Sequence, residues 1–172
     1  MKALSLCSGV GMLDLAAELA GITIVGQVEI DAYCRVVLAK HWPDVARYHN
    51  IKELQGDECG PIDLVFGGIP CQPFSKNGQR HGTADDRHLW PEAARIIANS
   101  RPRWVVIENV DAFLPLVLDA VQTDLEHLGY EVGAALLPAC AVDAPHIRER
   151  AVIVAYASGQ QPERTCHRLT FR

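Results

Sequence analysis

Two rhythms of apolar and polar positions alternate along the chain. Short, nearly unbroken apolar runs stand at ALSLC (3–7), TIVGQVE (23–29), IDLVFGG (62–68), RWVVIE (103–108), EVGAALLP (131–138) and RAVIVAYA (150–157). Runs this short, rich in β-branched residues and bounded by Gly, Pro or charged residues, predict strands. RWVVIE has almost no polar position, as expected of a strand buried on both faces. YHNI (48–51) predicts a further short strand. Longer amphipathic stretches at 12–20, 31–41, 88–100 and 112–129 predict helices. In the last of these, Val117, Val121, Leu125 and Leu128 share one face, and Gly129 stands where a helix stops. Pro91 falls near the start of the third, where a helix has no use for the N–H. This alternation predicts an α/β fold, a parallel-type sheet with helices on both faces. The predicted domain spans 1–157. The segment 158–172 is polar and basic, with Arg164, Arg168 and Arg172, and is expected to be a disordered tail or a truncation remnant.

Length and charge narrow the function classes. With 172 residues the chain can bury one sizeable core. No apolar run approaches the ~18 residues of a membrane span. The N-terminal apolar stretch is too short for a signal peptide, so a cytoplasmic protein with no membrane partner is expected. A net charge of −5 argues against a chain that holds nucleic acid over its whole surface; contact with DNA or RNA then needs a local patch or a helper. The six cysteines, Cys7, Cys34, Cys59, Cys71, Cys140 and Cys166, form no CxxC pair, and no Cys/His cluster has zinc-finger spacing, so no metal is expected. In a reducing compartment they are free thiols. His41, His49, His81 and His88 lack metal-like spacing and read as surface or loop residues.

Candidate chemistry begins after the first predicted strand. LCSGVGMLDLA puts Gly9 and Gly11 between a strand and a helix. Glycines there permit a tight turn and close approach of backbone amides to a ligand, and the helix N-terminus favours an anionic or polar group. A lone GxG is weak, but the next strand ends in Glu29, about 20 residues on, where an acid can accept hydrogen bonds from both ribose hydroxyls. Leu13 and Asp14 follow where a dinucleotide fingerprint would carry its third glycine. The pattern therefore favours a smaller adenosyl ligand over NAD.

A second focus is GGIPCQPFS (67–75). Cys71 follows the carboxyl end of a predicted strand, where open α/β sheets place active sites, and Pro70 and Pro73 stiffen the backbone on either side of it. The thiol is then buried filler or a nucleophile. Glu108 ends another buried run at the same predicted sheet edge. A carboxyl group in a half-buried pocket has its pKa raised and can donate a proton; as a structural salt-bridge acid it would have no chemical role.

Taken together these stretches resemble the cytosine-C5 DNA methyltransferase family. SLCSGVGMLDLA (5–16) resembles its cofactor loop, VEID (28–31) its ribose-binding acid, PCQPFS (70–75) its nucleophile loop, ENV (108–110) its proton-donor motif and HIRERAVIVA (146–155) its Gln-x-Arg-x-Arg segment. The five stand in family order at family spacing. The resemblance implies a Rossmann-like S-adenosylmethionine-dependent methyltransferase sheet, S-adenosyl-L-methionine as cofactor, cytosine-containing duplex DNA as partner, and a restriction-modification setting. It assigns cofactor binding to Cys7, Ser8, Gly9, Gly11, Met12, Glu29, Ile30, Asn50, Ile51 and Pro70. Cys71 becomes the thiolate that attacks cytosine C6, and Glu108 the group that hydrogen-bonds N3 and N4 while charge builds on the ring. Arg148 and Arg150 help hold that pocket. Gln72, Ser75 and Asn109 contact DNA or the flipped base, and Asn109 also orients the Cys71 loop.

The sequence departs from the family pattern at four places. Cys7 stands at a usual aromatic, Met12 at a common glycine, and His146 at the usual glutamine. Family members also continue past the last motif into a target-recognition domain, whereas few residues follow here. A truncated or split enzyme, with a second polypeptide supplying target recognition, is therefore an alternative expectation, as is a transfer-RNA cytosine-C5 methyltransferase that shares the same loop and ENV motif.

Overall fold

The computed structural model describes residues 1–70, 89–111 and 114–159. Cys71, Gln72, Ser75, His81, His88 and the expected tail beyond 159 lie outside them, as does the side chain of Val117. Seven strands form one sheet in the order β3-β2-β1-β4-β5-β7-β6. They are β1 (Lys2–Leu6), β2 (Thr23–Val28), β3 (Ala46–Tyr48), β4 (Leu64–Gly68), β5 (Trp104–Val110), β6 (Tyr130–Pro138) and β7 (Glu149–Ala157). The helices are α1 (Met12–Leu19), α2 (Ala32–His41), α3 (Trp90–Ser100) and α4 (Leu114–His127).

β3, β2, β1, β4 and β5 run parallel, as the alternation predicts. The expected parallel-type sheet is mixed at its other end, where β7 pairs antiparallel with both β5 and β6. The reason is the connection. Residues 139–148 hold a short 3₁₀ turn (Ala139–Val142) and no α-helix, and a parallel return would need a crossover, usually a helix. The expected strand at 48–51 is also displaced, to Ala46–Tyr48. Asn50 ends it by turning the chain: its Oδ1 accepts from Lys52 N at 3.1 Å and its carbonyl from Glu53 N at 3.0 Å. β5 runs two residues past its predicted end, so Glu108 lies inside the strand.

Two cores sandwich the sheet. Leu4, Leu6, Val65, Val105, Ile107 and Ile153 form one face, covered by Ala93, Ile96 and Ile97 of α3 and by Val121 and Leu125 of α4. Ala3, Ile24, Leu64 and Phe66 form the other, covered by Ala17 of α1 with Leu13 beside it. A register shift between Ala3 and Leu4 pairs Ala3 with Ile24 but Ser5 with Gln27. The extra residue in β2 turns Ile24 and Gln27 to the same side, toward α1, against the strict alternation of a regular strand. No helix among the described residues is long and apolar enough to cross a membrane.

Candidate functional site

The carboxyl ends of β1, β2 and β4 surround a cavity of about 530 Å³. Its lining includes Cys7, Glu29, Ile30, Asn50, Ile51 and Pro70, six of the residues the sequence assigns to a cofactor. Among the described residues, Val28, His49, Lys52, Gly68 and Leu89 also line it. His49, which the sequence reading leaves as a surface or loop residue, is in a loop and exposed, but on the cavity wall. Only Gly68 of these five carried a usable signal, as part of the glycine pair before the cysteine loop.

Of the glycine loop, Cys7 lines the cavity, whereas Ser8, Gly9, Gly11 and Met12 do not. Cys7 has a left-handed backbone, φ 52, and Gly9 and Gly11 follow at φ 56 and 88. Three such residues in five reverse the chain between β1 and α1 in the smallest space. Gly9 N donates to Glu29 Oε2 at 2.7 Å, and Asp31 N donates to Glu29 Oε1 at 2.8 Å. Both carboxylate oxygens are thus held by backbone amides, each keeping a further lone pair for an incoming hydroxyl. Gly11 answers to packing: a Cβ there would lie 2.4 Å from the Trp42 ring, which follows α2. Met12 is 68% exposed. Burial pushes the Cys7 thiol up to about 12, with the Glu29 charge adding to the effect, so it is a neutral thiol in the cavity wall.

Ser8 turns its hydroxyl inward. It donates to Ser5 Oγ at 2.9 Å, Ser5 Oγ donates to Asp14 Oδ2 at 2.9 Å, and Gln27 Nε2 donates to Asp14 Oδ1 at 2.9 Å. Asp14 is fully buried. Desolvation raises its pKa, opposed by the bonds from Gln27 and Ser5. This chain ties the loop, β1, α1 and β2 together beneath the cavity. Sequence reasoning passed over Asp14 because an acid in the first turn of a helix ordinarily faces solvent.

The second focus adjoins the first. Gly68 pairs in register with Glu108, and a Cβ at Gly68 would lie 3.1 Å from Glu108 Oε2. Its neighbour Gly67 has a different cause, since a Cβ there would meet Leu6 O at 2.1 Å. Arg150 Nε reaches Glu108 Oε1 at 2.7 Å. Burial raises the pKa of Glu108 above its ordinary value, and the nearby Arg148 charge opposes that rise. Arg148 and Arg150 therefore both act on Glu108. Asn109 is buried, with Nδ2 donating to Ile69 O at 2.7 Å and Oδ1 accepting from Val110 N at 2.9 Å. It fixes the chain at Ile69, between the end of β4 and Pro70, the last described residue ahead of Cys71.

The fold built this way is that of an α/β methyltransferase. It superposes on the S. pombe Dnmt2 methyltransferase with a TM-score of 0.78 at 23% identity, covering 91% of this chain and 51% of that one. A DNMT2 variant from Spodoptera frugiperda gives a TM-score of 0.79 at 24% identity, over 93% and 51% of the two chains. The family model for C-5 cytosine-specific DNA methylase matches residues 1–170, and the chain belongs to that family. It is 32% identical over 157 residues to the Type II methyltransferase M.NgoMIV of Neisseria gonorrhoeae, covering 88% of this chain and 50% of the relative. With M.AluI of Cellulosimicrobium cellulans it shares 35% identity over 170 residues, 87% of this chain and 32% of the relative. The chain thus spans half or less of these two curated relatives.

Proposed function

We propose that this chain carries the cofactor and catalytic sites of a DNA cytosine-C5 methyltransferase that transfers a methyl group from S-adenosyl-L-methionine. The observation that carries the reading is the position of Gly68, which lines the cavity and pairs with Glu108. Cofactor cavity and acid therefore share one wall, as a transfer between adjacent ligands requires.

The residues present fit the cofactor. The volume lies in the range of small-molecule sites. Glu29 offers its remaining lone pairs to the ribose, and Val28, Ile30 and Leu89 offer apolar surface to the adenine. Bound there, S-adenosylmethionine supplies an electrophilic methyl group. The chain's own residues do the rest. Cys71, covalently next to Pro70, adds as thiolate to C6 of a cytosine flipped out of the duplex, and C5 gains enamine character. Glu108, paired with Arg150, hydrogen-bonds the ring at N3 and N4 and offsets the charge that attack builds up. After C5 is methylated, a base removes the C5 proton, the electron pair re-forms the ring double bond, and the thiolate leaves.

The test uses duplex DNA containing 5-fluorocytosine, whose fluorine blocks that last elimination. With S-adenosylmethionine, the chain is expected to give a protein–DNA band on a denaturing gel, absent in Cys71→Ser. Absence of the band from the wild-type chain rules out attack on cytosine by this chain unaided. A band that survives Cys71→Ser removes Cys71 from the reaction.

A further inference from the structure

We infer that Arg95 is the positioning residue for the cavity wall at 50–55, an inference that rests on reading the cavity as the S-adenosylmethionine site. Asn50, Ile51 and Lys52 line the cavity, yet residues 50–62 form neither helix nor strand. Irregular backbone leaves carbonyls without ladder partners, and each needs another donor. α3 supplies them. Arg95 Nη1 donates to Leu54 O at 2.7 Å and Nη2 to Ile51 O at 3.1 Å. Longer contacts reach Gln55 Oε1 at 3.4 Å and Lys52 O at 3.5 Å.

The guanidinium is itself held. Nε donates to Glu92 Oε2 at 2.9 Å, one turn earlier on α3. Every edge of the planar fork is used, a pattern that an ammonium cannot reproduce. Ile51 adds an apolar anchor, its side chain 5% exposed in the main core. Leu54, 3% exposed, is buried in the same core, so two buried side chains and one charged fork hold the wall.

The same helix carries an internal control. Asn99 Nδ2 donates to Gln55 O at 2.8 Å. Gln55 belongs to the same segment but does not line the cavity. Both side chains clamp the segment, and only Arg95 clamps the part that faces the ligand.

Calorimetry with S-adenosylhomocysteine on the wild-type chain, Arg95→Lys and Asn99→Ala tests this, together with hydrogen exchange of the 51–54 amides without ligand. Arg95→Lys is expected to weaken binding about tenfold and to speed that exchange. Asn99→Ala is expected to lower Tm comparably yet keep affinity within about twofold of wild type. Should Arg95→Lys not fold, Glu92→Ala is the milder variant, with about threefold weaker binding expected. A folded Arg95→Lys that binds as tightly as wild type overturns the inference. Equal losses in Arg95→Lys and Asn99→Ala overturn it too, because they report general loosening. Failure of the wild type to bind sinks the cofactor reading itself; unchanged amide protection in Arg95→Lys then decides separately against the clamp.

Discussion

At the parallel end of the sheet a Cβ on Gly67 would lie 2.1 Å from Leu6 O, and one on Gly26 2.5 Å from Cys59 Sγ; at the antiparallel end Gly133 has nothing within 4 Å. The strands differ in the same way. β1 is buried from its second residue to its last, whereas most positions of β6 are exposed. The parallel end is packed to backbone contact, and the cavity, the glycine loop and the buried Asp14 network all sit there. Close packing fixes Glu29, the loop and the Arg95-held wall relative to one another. β6 carries none of those groups and tolerates space around it.

The largest effect expected from breaking this contrast is Gly67→Ala. Pushing a methyl group into the Leu6 carbonyl separates β1 from β4, with an expected loss of about 3 kcal/mol, or ~10 °C in Tm. Thermal denaturation checks it; a loss under about 1 kcal/mol means the parallel end can relax and the contrast fails.

Asp14 comes next. Its pKa is raised in the folded state, chiefly by burial. The folded protein therefore holds the proton to higher pH than the unfolded chain does. The stability contributed this way is present below the ordinary carboxyl value of 3.8 and is lost as pH rises through the raised folded value. Denaturant unfolding across that window should show this decline in the wild type and not in Asp14→Asn. The variant is expected to fold, because Gln27 Oε1 accepts no hydrogen bond from the described residues and can receive one from the new amide after a flip. Identical pH slopes in the two proteins would refute the linkage.

The smallest effect belongs to the other end. Gly133→Ala meets open space and replaces a flexible strand residue, so stability should change by no more than about 0.5 kcal/mol, in the favourable direction. A clear loss would show that β6 is more constrained than its exposure indicates.

Much of this was legible along the chain. Continuous apolar runs marked β1 and β4, which are buried along nearly their whole length, and also β5, which is fully buried on one face and half-buried on the other. The turn after β1 was legible because a reversal this tight needs glycines, and Gly9 and Gly11 both take positive φ; Glu29, marked out as the acid that ends the next apolar run, lies on the cavity wall. The antiparallel turn of β7 was not legible, since its apolar pattern is the same whichever way it runs and only the short connection without a helix decides direction. Arg95 was equally silent: on a helix surface it reads as a solvated charge until the irregular wall at 50–55 is folded against it.

Local patterns alone indicated which segments are strands and helices, because backbone propensity and periodicity act between near neighbours. Tertiary structure decided what those residues touch. Gly68 opens beside Glu108 across a strand pair, Gly11 yields to Trp42, and Gln27 meets Asp14 only because one extra residue in β2 turns it. Such contacts join positions far apart in sequence, and packing, which acts through space, is what selects them.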